Sequence, residues 1–400
     1  MRYIGLDIGR DFAHVAVVEG TGPARRLPRL AMGDEFRLFA AGLGPDDAIA
    51  LEASTNTWAL VDLLAGHAGQ VTVSNPLRTR AIASAKRKTD DIDAATLAEL
   101  LAADYLPPVW QPDVLTRRLR RLAAHRAGLV RDRTAVRNRV SAILARRLVR
   151  PPVSDLFGVR GRAWLVALEL PPEERLALDA AIRLDAVLTE QVDLAERAIA
   201  SAIVDDPRIR RLLTIPGIGL VTAAGILAVV GDISRFDRPA KLVSYLGLDP
   251  RVRQSGDRPA LRGHISRAGQ AHARGLLCEA AHAAVRSPGP LAGFHARLKD
   301  RRGGGIAITA TARKLAVLVW HLLTKDEDYR FAPAARTALK HRRLELLAGR
   351  SGTRSSHRGA TGLSHDQGRA RLRGGHDPDD PALRHAIDRV RSDDTPPPGA

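Results

Sequence analysis

The chain has 400 residues, enough for two domains with cores of their own plus an appendage. Its 62 Lys+Arg against 44 Asp+Glu leave a formal charge of +18, and a pI near 11.1 points to a polyanionic partner, nucleic acid first. The single Cys278 excludes an internal disulfide and a cysteine metal cage, and it fits a reducing cytoplasm. The longest apolar runs, such as 226–230, are too short to span a bilayer, and Asp7 interrupts the only N-terminal apolar run, so neither a membrane segment nor a signal sequence is expected.

In chain order, 3–8, 13–18 and 26–31 read as three short strands punctuated by Gly and Pro, the pattern of a meander. Residues 34–41 read as a helix, 48–52 as a fourth strand, 57–65 as a helix, 71–74 as a fifth strand and 92–103 as a helix with acidic N-terminal signals. Three hairpin strands followed by β-α-β-α is the order of a ribonuclease-H-like domain, placed at 1–106. Pro107, Pro108 and Pro112 end it. Leu115, Leu119, Leu122, Leu129, Val136, Val140 and Ile143 then recur at alternating four-and-three spacing, with Arg126, Arg133 and Arg147 interrupting the pattern. With a second helix at 172–204 they predict an antiparallel helical arm over 113–205. It serves equally as a solvated bundle or as a nucleic-acid contact.

From 206 to 331 a mainly helical domain is expected. The run Leu213 to Gly219, LTIPGIG, followed by an apolar helix to Val230 is a helix-hairpin-helix signature, in which Gly217 and Gly219 let backbone amides approach a phosphate; a tight turn between two helices is the plain alternative. A polar loop at 251–258 carries Arg253, Ser255 and Arg258, and helices follow at 266–286 and 309–323. Residues 332–400 read as a low-complexity, mostly disordered basic tail with short helices at 335–347 and 381–390.

Two constellations carry chemistry. Asp7 and Glu52 close two strands, while Asp90 and Asp93, three residues apart in KTDDIDA, share a helix face near its N-terminus. Four converging carboxylates are the hard donors that hold two divalent ions for phosphoryl transfer. Asp91 rivals Asp90, but two-residue spacing from Asp93 turns it to another face. Ser255, flanked by Arg253 and Arg258 and followed by Gly256, could serve as a nucleophile toward a phosphodiester, but from the residues alone an ordinary Ser-Gly turn is the stronger reading.

The ordered series GLDIGRD, LEAST, KTDDIDAATLAELL, IPGIGLVTAAGILAVVGDISRF, YLGLDP, QSG and GHISRAG resembles one family of bacterial insertion-sequence transposases. These are DEDD-type recombinases with a RuvC-like N-terminal domain and a C-terminal serine transposase domain, guided by a bridge RNA and related to Piv-type DNA invertases. The resemblance covers about 1–331. It implies that Asp7, Glu52, Asp90 and Asp93 bind Mg²⁺, with Mn²⁺ as the substitute. Ser255 then attacks the DNA backbone to form a covalent intermediate, in an active site composed from both domains. Arg267, in GHISRAG, joins Gly217, Gly219, Arg253 and Arg258 as a nucleic-acid contact. The implied partners are double-stranded DNA, a noncoding bridge RNA and further copies of the chain, as dimer to tetramer, in a bacterial cytoplasm at the nucleoid. Two rival readings remain open at this level: a Holliday-junction-type nuclease that activates water, and a non-enzymatic RNA- or DNA-binding protein.

Overall fold

Strand alternation with small residues on one face decides the N-terminal architecture. The computed structural model describes residues 1–83, 89–254, 260–266 and 268–350, apart from the side chain of Arg262. The chain divides into two compact units, Met1–Pro112 and the part from Asp113 on. The first contains β1 (Arg2–Ile8), β2 (Phe12–Glu19), β3 (Arg25–Ala31), α1 (Asp34–Ala41), β4 (Asp47–Glu52), α2 (Thr57–Leu64), β5 (Gln70–Ser74), α3 (Pro76–Ile82) and α4 (Asp90–Ala102). Its sheet runs β3-β2-β1-β4-β5, antiparallel through the meander and parallel from β1 through β4 to β5. That order and polarity fit the expected ribonuclease-H-like domain. The short α3 has no counterpart in the sequence reading; Asn75 caps it, and a buried hydrogen bond between Ser74 and Thr79 ties it to β5.

One face of the sheet, with Ile4, Leu6, Val15, Val17, Ile49 and Leu51, packs on Phe36, Leu60 and Leu64 of α1 and α2. The other face belongs to α4, where Ala94 and Ala98 lie with Ala16 and Val18, and Leu97 with Ala50. Ala16, Gly5 and Ala50 form one row across β2, β1 and β4. A Cβ on Gly5 would fall inside contact distance of the Ala94 carbonyl oxygen and the Ala98 amide nitrogen, so glycine there sets how closely α4 approaches β1.

The second unit contains α5 (Val114–Arg146), α6 (Val159–Ala167), α7 (Pro172–Ile203), α8 (Pro207–Leu213), α9 (Leu220–Val230) and α10 (Pro239–Tyr245). A hairpin of β6 (Pro250–Arg253) and β7 (Leu261–Ile265) follows, then α11 (Ala271–Ala284), α12 (Pro290–Arg302), α13 (Gly304–Lys325) and α14 (Ala334–Leu347). The loop expected at 251–258 therefore begins as a strand, and α6 and α12 were not anticipated. Ion pairs Arg126–Glu196 at 2.6 Å, Arg137–Asp185 at 2.6 Å and Arg147–Glu174 at 2.5 Å run in opposite sequence directions, so α5 and α7 are antiparallel. Two of the three arginines that interrupt the apolar stripe are thus partners of α7. Asp185 is fully buried between Arg137 and Arg162.

By length and composition alone α13 is apolar enough to cross a membrane, which the run-length reading overlooked. Its Ala307, Thr311, Leu315, Val319 and Leu322 are nevertheless buried, as in a core helix. The helix expected at 335–347 is present as α14, with Leu344 in the main core. The one expected at 381–390 lies outside the described residues.

Candidate active site

The next row on the same face as Ala16, Gly5 and Ala50 is polar. His14 on β2 faces Asp7 on β1 in the antiparallel register, and Glu52 follows Leu51 at the end of β4, next to β1. Strand alternation puts these residues on the α4 side of the sheet, at the carboxyl ends of the parallel strands, where open α/β sheets place their ligands. Ala94 and Ala98 of α4 cover Gly5, which brings the helix's first turn toward Asp7. Thr89 caps that turn by accepting from the Ile92 amide, and Asp90, Asp91 and Asp93 occupy it, as the positive end of a helix dipole favours.

The Asp7 carboxyl registers this crowding. Burial raises its pKa first, then the charges of Asp90, Asp93 and Glu52, to about 6, against a smaller opposing pull from His14. Three of the four sequence-predicted acids thus act on the fourth. Asp91 is engaged elsewhere: its Oδ1 lies 2.6 Å from His14 Nδ1, whereas Asp90 Oδ2 lies 3.7 Å from His14 Nε2. Among the described residues no three His, Cys, Asp or Glu side chains already close around one point as a metal cage would. The four acids share a field without forming a finished coordination sphere. Their hard carboxylate oxygens and mutual repulsion fit a divalent cation, which would relieve the crowding that Asp7 reports.

The nucleic-acid candidates of the second unit separate by environment. Gly217 has φ +84°, and a Cβ there would strike the Ala280 carbonyl and the Ala284 amide of α11, so its glycine serves the packing of α11 on the turn. Gly219 caps α9 and faces open space. Arg253 is exposed at the end of β6. Ser255, Arg258 and Arg267 lie outside the described residues. The GDISRF segment proves architectural: Arg235 donates to the Val230 carbonyl at 2.8 Å, Arg208 to Gly231 at 3.0 Å and Arg120 to Ala228 at 2.7 Å, closing the C-terminus of α9.

Two residues escaped the sequence reading. His14 is the polar residue inside the apolar run of β2 that Glu19 ends, and counting the hairpin register back from Asp7 would have found it. Lys340 on α14 donates to the carbonyls of Leu213 and Ile215 in the hairpin turn at 2.7 and 2.8 Å, and burial pushes its pKa down to about 8. No motif marks it.

Residues 4–147 match the family model DEDD_Tnp_IS110, described as a transposase, and 209–296 match the model described as the transposase IS116/IS110/IS902 family. The transposase for insertion sequence element IS1111A of Coxiella burnetii is 31% identical over 61% of this chain and 68% of its own length. The transposase for insertion sequence element IS1328 of Yersinia enterocolitica is 26% identical over 80% of this chain and 96% of its own. The pilin gene-inverting protein of Moraxella lacunata is 29% identical over 57% of this chain and 64% of its own. With the sheet order, the crowded carboxylates and these matches together, the chain belongs to the IS116/IS110/IS902 family of transposases and is an enzyme that acts on DNA.

Proposed function

We propose that this transposase cuts and rejoins DNA as the site-specific recombinase of an insertion sequence, with Asp7, Glu52, Asp90 and Asp93 as its metal ligands and Ser255 as its nucleophile. The observation that carries the metal half is the field of Asp90, Asp93 and Glu52 on Asp7. The serine half is supported by the QSG motif between two arginines and by likeness to a gene-inverting protein. Attack of Ser255 Oγ on a backbone phosphorus forms a serine phosphodiester and breaks one P–O bond to a sugar oxygen. The serine proton passes to that departing oxygen, directly or through water. A hydroxyl of the recipient strand then attacks the same phosphorus and restores Ser255. One ester forms for each ester broken, so no external energy source is needed. Mg²⁺, or Mn²⁺ in its place, would neutralise charge on the phosphate during both exchanges.

In this reading the partner beyond DNA is a noncoding bridge RNA that chooses the sequence, while the protein grips backbone and shape. The chain works as a homo-oligomer, dimer to tetramer, in the bacterial cytoplasm. The test is a denaturing gel of the protein with labelled element-junction DNA, target DNA, Mg²⁺ and RNA from the element's noncoding flank, with Ser255→Ala in parallel. A slow-migrating protein-DNA adduct confined to the parent protein is expected. Cleavage by both proteins without an adduct would make water the nucleophile and the enzyme resolvase-like.

A further inference from the structure

The first turn of α4 offers three acids to the site, and the sheet supplies something that sorts them. Ionised Asp91 can only accept a hydrogen bond, so His14 Nδ1 carries the proton in the 2.6 Å contact and donates it. The other ring nitrogen, at 3.7 Å from Asp90 Oδ2, is too far to hydrogen-bond it. The His14 side chain is 23% exposed and Asp90 is 70% exposed, so the ring is held by its surroundings while the Asp90 carboxylate stays open.

We propose that His14 is a positioning residue of the metal site: by holding Asp91 it pins the first turn of α4 to β2 and assigns Asp90 and Asp93, rather than Asp91, to the cation. The register supports this, because His14 stands directly across from Asp7 on the neighbouring strand. Without the bond to Asp91, the turn bearing two ligands would be held by the Thr89 cap and by the packing of Ala94 and Ala98 one turn further along. Removing a group that orients a ligand lowers metal affinity about 10–100-fold in general.

Because the inference rests on the metal-site reading of the four acids, the experiment separates the two. Free Mn²⁺ is titrated into the full-length protein and followed by electron paramagnetic resonance, with thermal melting of every variant. Asp90→Asn and Asp93→Asn should each weaken binding more than about tenfold, and His14→Ala and Asp91→Ala about tenfold. Asp91→Asn should stay within about threefold, since its amide oxygen accepts the same hydrogen bond. His14→Asn, which returns an N–H near the position of Nδ1, should recover most of the loss.

Parent-like binding by His14→Ala, or equal losses in Asp91→Asn and Asp90→Asn, would overturn the inference. So would a loss in His14→Ala that His14→Asn does not repair at an unchanged melting temperature. If His14→Ala fails to fold, the contrast between Asp91→Ala and Asp91→Asn decides in its place. Asp7→Asn and Glu52→Gln report on the metal site itself. Binding untouched by either would sink that reading, whereas their loss beside a silent His14→Ala removes only the role of His14.

Discussion

At the scale of single residues, Asp7 couples the chemistry of the site to the stability of its domain. Its folded pKa of about 6 exceeds the usual carboxylate value, so the folded protein holds a proton that the unfolded chain releases. The stability from this group is complete below about pH 4 and is lost as pH rises through about 6. Without divalent metal, the first unit should therefore melt at a lower temperature at pH 7.5 than at pH 5. The difference should be about 1 kcal/mol once solvent screening of this half-exposed carboxyl is allowed for. Thermal unfolding in chelator across that range, beside Asp7→Asn, measures it. The variant should lose this part of the pH dependence, and Mg²⁺ at pH 7.5 should raise the parent's midpoint more than the variant's. Equal pH slopes in the two proteins would mean that Asp7 is not held against its neighbours.

At the scale of elements, close approach through glycine recurs: Gly5 beneath α4 and Gly217 against α11 each stand where a methyl group would meet backbone atoms. The two glycines of the hairpin motif should accordingly part company. Gly217→Ala, which adds a left-handed φ to the clash, should destabilise the second unit by about 2–4 kcal/mol. Gly219→Ala meets open space and should cost less than about 1 kcal/mol, so any loss of DNA affinity in it reports on phosphate approach. Denaturant unfolding with fluorescence-anisotropy binding to duplex DNA reads both quantities. Similar destabilisation by the two substitutions would remove the distinction. The sequence showed most of the sheet because strand alternation and turn residues are local signals, and α1 was placed residue for residue. It also singled out the four acids, since each stands at a strand end or in the first turn of a helix. It did not show α3, which buries only Thr79, or α12, which buries only Leu291, because neither has an apolar stripe to detect. Nor did it show His14 or Lys340, whose partners lie 77 and more than 120 residues away. Spacing reports one helix or strand at a time, whereas these contacts arise from register between elements.

At the scale of the whole molecule, the charge of +18 is unevenly placed. Residues 1–112 hold 11 Lys+Arg against 14 Asp+Glu, so the unit with the crowded carboxylates is slightly acidic and contributes nothing to the net positive charge. Residues 113–350 hold 43 against 23, an excess of 20 that concentrates the chain's attraction for a polyanion in this region. From 351 on, eight arginines meet seven aspartates, and the basic character expected of 332–400 resides instead in 332–350, with five cations against one acid. That stretch includes α14, which is part of the fold through Leu344, Lys340 and the Arg210–Glu345 ion pair at 3.2 Å. Truncation should therefore give two different results. A chain ending at Arg350 should bind DNA with a log affinity against log salt slope within about one phosphate contact of the full chain's, because it loses one net charge. A chain ending at Phe331 should lose stability as well as affinity, since the carbonyls of Leu213 and Ile215 lose their buried donor and Leu344 no longer fills the core. Salt titrations of duplex binding, with melting curves for both truncations, test this directly. A shallower slope on ending at Arg350 would return that attraction to the tail, and an unchanged melting curve on ending at Phe331 would make α14 an ornament of the fold.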